Sequence, residues 1–215
     1  MRRSSEQTRE HVLGTARALF YWRGIRATGV DAVASAAGVA PTTLYRLFAN
    51  KDDLVAAYLE REAVGYRRWL TEVLDRPADG PRARLLAVFD AVAAQVDPEH
   101  CRGCPFQIAL AELPDPGLPG HRHAVEVKAW TRDRLRELAD GIAGSDRPDD
   151  AAVLADQVLL VLEGVYASVA SLGPTGPAAR ARSLVELLTD PGRWSAAATA
   201  DRGTGSRPAT AVRAR

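Results

Sequence analysis

Two cysteines, one methionine and two lysines are all that this 215-residue chain holds of those residues, and aromatics make up 6% of it. So few cysteines exclude a disulfide-built secreted scaffold. The polar N-terminus lacks the apolar stretch of a secretory leader, and no apolar run reaches the roughly 18 residues of a bilayer span. The expectation is a cytoplasmic protein without a membrane partner. Strand-like alternation is missing too, which leaves helical periodicity to organise the chain. The net charge of +1 does not by itself announce a nucleic-acid binder. It conceals basic ends, with eight Arg/Lys against six Asp/Glu in residues 1–60 and five Arg against the single Asp201 in residues 191–215. What is abundant is ordinary for a globular protein: 47% hydrophobic and 26% charged residues.

The pattern predicts an all-α fold of about nine helices. Ser4 or Ser5 caps a first helix with Val12, Ala16, Leu19 and Phe20 on one face, and Gly24 ends it. Thr28 followed by Asp31 reads as a capping-box-like start for a short second helix that Gly38 stops. Pro41 stands where a first helical residue is expected, and Asn50 caps a long fourth helix with Asp52 and Asp53 in its first turn. Later helices are expected to end at Asp97-Pro98, to begin at Pro105, and to carry Trp130 and Leu135, with the last two at about 149–172 and 177–188. Pro114–Gly120 reads as a rigid loop. Residues 195–215 are low in complexity and are expected to stay disordered.

Two short helices about the turn Ala37-Gly38-Val39 suit a helix-turn-helix, with the reading motif at about 29–48. Val39, Leu44, Leu47 and Phe48 face its small core, leaving Pro41, Thr42, Thr43 and Tyr45 outward. Threonine can hydrogen-bond to bases or meet a thymine methyl, and tyrosine can donate to a phosphate. Lys51 opposes the dipole of the helix it opens, and a lysine beside helix N-terminal amides suits a phosphate.

The stretch Thr28–Leu54, with its Leu44-Tyr45-Arg46, Phe48 and Asn50-Lys51, closely resembles the signature of TetR-family transcriptional repressors. Ala16–Phe20 and Gly24-Ile25 fit that family's first helix, so the likeness covers about residues 6–65. The resemblance implies DNA-contact positions at Thr28, Thr42, Thr43, Tyr45 and Lys51; Pro41 and Arg46 join them from the same segment. It divides the chain into a DNA-binding unit (6–66) and a helical effector-binding and dimerisation unit (67–190). Arg102–Phe106 and Glu112–Pro116 resemble a subgroup of TetR-like regulators common in actinobacteria.

In that family an effector site lies among the middle helices. Candidates here are Tyr66, Trp69, Phe89, Cys104, Phe106, Gln107, Trp130 and Tyr166, aromatics with a few polar groups. The expected partners are a double-stranded DNA operator, a small-molecule effector and a second copy. The apolar residues Val158, Leu159, Val161, Leu162, Val165 and Val169 would form the dimer surface. Cys101 and Cys104, with His100, His121 and His123, leave open a thiol- or metal-responsive alternative. No cofactor is expected. No phosphate loop, nucleophile triad or carboxylate pair stands out, so no enzyme is expected either.

Overall fold

The structure, a computed structural model, describes residues 4–97, 99–144 and 146–193; the tail expected at 195–215 lies outside the described residues. Among the described residues there are nine α-helices and no strand. The first three are α1 (Ser5–Arg23), α2 (Val30–Ala37) and α3 (Pro41–Leu47). Ser4 caps α1 in a full capping box with Gln7, and Gly24 closes it at φ 97°, a backbone conformation that a side chain would strain. The capping box expected at Thr28 is corrected. Gly29 is the N-cap of α2, without a side-chain bond, and the Thr28 hydroxyl instead donates to the Gly24 carbonyl at 2.7 Å.

The long helix α4 (Lys51–Leu74) begins as expected, with the Asn50 side chain accepting from the Asp53 amide. It runs unbroken across residue 66 and ties the two ends of the molecule together. The core around α1–α3, built on Leu13, Phe20, Leu44 and Leu54, continues without a gap into Phe106 and Ala109 of α6 (Pro105–Glu112) and Ala124 of α7 (Pro119–Ala143). A second core joins the end of α4 to α5 (Gly80–Gln95), α7, α8 (Pro148–Leu172) and α9 (Ala181–Leu188). A 3-10 turn, Pro177–Arg180, leads into α9.

Three features differ from the sequence reading. Helix α5 ends at Gln95, ahead of the Asp97 breaker. Pro119 and Gly120, expected in a loop, form the first turn of α7, because proline is pre-set for that position. Gly120 is there for space: a Cβ would sit 3.1 Å from Leu113 Cδ1 and 3.2 Å from Leu59 Cδ1 and Val55 Cγ1. We expect Gly120→Val to overpack this junction and cost about 2 kcal/mol, or roughly 4–8 °C in Tm. Calorimetry checks it, and an unshifted melt would mean that α7 slides freely over α4.

The third difference concerns α8. Over an 18-residue window its mean hydropathy is 1.6, enough by length and composition to cross a membrane, although Asp156, Gln157 and Glu163 interrupt its apolar run. The helix packs on α7 and α9. Val158, Leu162, Val165 and Val169, expected on a dimer surface, are buried inside the chain, with Leu159 and Val161 packed beside them. The α7 core takes that face. The exposed face is a different stripe, Val153, Leu160, Gly164 and Ala167, flanked by Leu184 and Leu187 of α9. Leu160 is 72% and Leu187 69% exposed.

Candidate DNA-reading face and effector cavity

Helix α3 follows α2 through a left-handed Gly38 (φ 63°) that lets Val39 N–H return to the Ala34 carbonyl at 3.0 Å. Leu44 and Phe48 are buried, which turns Pro41, Thr42, Tyr45 and Arg46 to solvent, with Thr43 half-buried. Tyr45 is half exposed, which leaves its ring and hydroxyl open to a partner. The structure thus brings five of the seven expected DNA-contact residues onto one short helix. Thr28 is apart from them: its side chain is buried and its hydroxyl engaged. Lys51 is half-buried, and its Nζ donates to the Arg26 carbonyl at 3.3 Å.

That bond belongs to a clasp the sequence did not disclose. The Arg26 amide donates to Glu112 Oε2 at 2.7 Å, so one residue of the α1–α2 turn is held by α4 on its carbonyl and by α6 on its amide. Gly24 lies so close to Glu112 that a Cβ would meet its carboxylate oxygens at 3.2 and 3.3 Å. A few residues earlier, the Tyr21 hydroxyl accepts the Arg102 amide and donates to the Gly103 carbonyl, each at 2.7 Å. The Arg102 guanidinium returns to the Tyr21 carbonyl, also at 2.7 Å. The segment 101–112 therefore grips the reading domain at both ends of its α1–α2 corner.

Tyr21 and this segment also wall a cavity of about 610 Å³, within the usual size of small-molecule sites. Of the expected effector residues, Tyr66, Trp69, Cys104, Phe106 and Tyr166 line it. Three others do not line it. Phe89 is 2% exposed within the α5 core. Gln107 turns away to donate to the Glu163 carboxylate. Trp130 packs its ring 6.4 Å from that of Tyr66, behind the wall. Residues missed at the rim are Arg17, Arg61, Arg68 and Gln95. The spacing Arg61–Gly65–Arg68 on one face of α4 was the available signal, but an exposed basic face reads equally as solvated surface.

Burial pushes the phenol pKa values of Tyr58, Tyr66 and Tyr166 well above the ordinary range. Tyr21 is pushed up to about 12, first by burial and then by the neighbouring Cys101 thiol. These phenols stay neutral near pH 7. Both cysteines are free and buried. Lys128 Nζ lies 3.2 Å from Cys104 Sγ and 2.6 Å from Glu163 Oε1. Among the described residues the three-ligand cluster that does assemble is Asp97, Glu99 and His100, all exposed, and it includes neither cysteine. His121 binds the Leu113 carbonyl and His123 pairs with Glu126, so the His/Cys set expected for a metal is dispersed.

A helix-turn-helix head on a helical body with an open-mouthed cavity is the architecture of a DNA-binding transcriptional regulator. The sequence model of the family described as "Bacterial regulatory proteins, tetR family" matches residues 12–58. The chain is 33% identical over 159 residues to the HTH-type transcriptional regulator YjdC of Escherichia coli, covering 73% of this chain and 80% of that one. It is 30% identical over 149 residues to the HTH-type transcriptional repressor KstR2 of Mycolicibacterium smegmatis, with 66% and 68% covered. The crystal structure of SCO4454, a TetR-family transcriptional regulator from Streptomyces coelicolor, superposes with a TM-score of 0.79 at 30% identity, covering 86% of this chain and 89% of that one. The chain belongs to the TetR family.

Proposed function

We propose that this regulator is a repressor that binds a palindromic operator as a homodimer and releases it when a small molecule enters the cavity. On this reading residues 6–66 bind DNA, residues 67–190 receive the effector and dimerise, and the protein works in the cytoplasm without catalysing a reaction. The observation that carries it is the double position of Tyr21, at once cavity wall and the hydroxyl that holds the 102–103 backbone to α1. An occupant that displaces this segment also disturbs the corner from which α2 and α3 are hung. The effector then acts by favouring the arrangement of heads that fits the operator less well. The name of the repressor KstR2 supports the sign of regulation.

In the dimer, two α3 helices would enter successive major-groove faces about 34–36 Å apart. The test is fluorescence anisotropy of the full chain on DNA flanking its own gene, against unrelated DNA. Tight binding to the flanking fragment alone is expected, and equal weak binding to both would overturn the reading. Lys51→Ala should shallow the salt dependence by about one unit per chain if the ammonium meets phosphate. An unchanged slope with lowered stability would assign Lys51 to the Arg26 clasp alone.

A further inference from the structure

We propose that the cavity selects an amphipathic anion, an aryl or aryl-alkyl carboxylate whose charge sits at the Arg68 rim; this rests on the effector-cavity reading above. The body of the ligand is set by the walls. Tyr66 lies between Trp69 and Phe106, with ring centroids 5.6 and 5.9 Å away, and Tyr166 lines the same space. Such surfaces favour flat apolar groups, which find edge and face contacts there.

The charge is set by the rim. Arg17, Arg61 and Arg68 line the cavity against one carboxylate, Glu62, and Glu62 is already held by Arg17 at 2.9 Å. Arg61 leans out to Glu10 at 3.3 Å. Arg68 is exposed and meets no acidic side chain among the described residues, so its guanidinium is the unspent charge at the mouth. A planar guanidinium matches a carboxylate through two parallel hydrogen bonds, which a hydroxyl cannot use and an ammonium opposes. The wall phenols, kept protonated by burial, add no negative charge to repel an anion.

The test is calorimetric titration of the full chain with three probes of one shape: 4-phenylbutanoate, 4-phenylbutan-1-ol and 4-phenylbutylammonium. The carboxylate is expected to bind about tenfold more tightly than the alcohol, and the ammonium more weakly than either. Arg68→Gln should erase the preference for carboxylate over alcohol, and Arg68→Lys should keep part of it. The exposed position makes both variants compatible with the fold, which circular dichroism verifies. Equal binding of the three probes, or a preference that survives Arg68→Gln, overturns the anion assignment and leaves the effector cavity standing. Binding of none of them overturns both.

Discussion

Glutamate at both Leu160 and Leu187 should turn the proposed homodimer into a folded monomer that has lost operator binding. These side chains are 72% and 69% exposed, so the change adds no buried charge to the chain itself. Together with Val153 and Leu184 they leave an apolar face on α8 and α9 that a solitary chain has no reason to keep. Gly164, in the same stripe, has open space where a Cβ would be, so a second helix could approach closely. In the proposed two-fold contact through this face, the glutamates of both copies would be drawn into one interface, where desolvation and like charge oppose assembly. On the proposed homodimer reading, a monomer would grip one half-site where the dimer grips two, and losing that linkage should cost about 10² to 10³ in apparent affinity. Light scattering at micromolar concentration and anisotropy on the operator measure the two effects. A variant that stays dimeric with full affinity would place the interface elsewhere.

Tyr21→Phe should give the second largest effect, acting on both stability and response. It leaves the buried Gly103 carbonyl and the Arg102 amide without the hydroxyl each uses at 2.7 Å. The loss should be about 1–3 kcal/mol. In a protein of this size, that corresponds to roughly 2–12 °C in Tm. The alkaline limb of stability checks the assignment independently. In the unfolded chain this phenol releases its proton near pH 10, whereas in the folded chain it holds it to about 12. Between those values the unfolded state carries fewer protons, so stability falls as pH rises. Phenylalanine should remove this share of the fall, leaving that of Tyr58, Tyr66 and Tyr166. Denaturant melts at pH 9 and pH 11 compare the slopes, and identical slopes would remove Tyr21 from the coupling. On the proposed ligand-relief reading, the same variant bound to operator DNA should release it several-fold less completely when an effector is added, because the hydroxyl that links the cavity wall to α1 is gone.

The reading head was legible in the sequence because its signals are local. Pro41 at a first helical position, Gly38 in a left-handed turn and Asn50 capping α4 each act within a few residues of where they stand. Leu44 and Phe48 then fix, by spacing alone, which side of α3 faces outward. The cavity was half legible. Tyr66 and Trp69 were recoverable from their spacing, but Phe89, at a similar period, belongs to the interior, since periodicity marks a buried side without saying what fills it. Gln107, expected at the effector site, is bonded to Glu163 away from the cavity. The Tyr21–Gly103 and Arg26–Glu112 bonds join residues 82 and 86 positions apart, beyond anything a spacing rule can see. The dimer stripe failed for a related reason: α8 is apolar on two sides, and only packing against α7 decides which one is spent.

The joint between input and output has an uneven susceptibility to mutation. On the side of the reading domain, the clasp of Glu112 is received by a main-chain amide and by a glycine without room for a side chain. Drift at Arg26 leaves that contact in place, because any residue but proline brings the same amide. The cavity, by contrast, is lined by side chains that can be exchanged one at a time. If the cavity is the effector site proposed above, substitutions along α4 and α6 that spare Tyr21 and Glu112 could change the ligand while leaving the clasp in place, which would suit the chain to sensors with altered ligand preference.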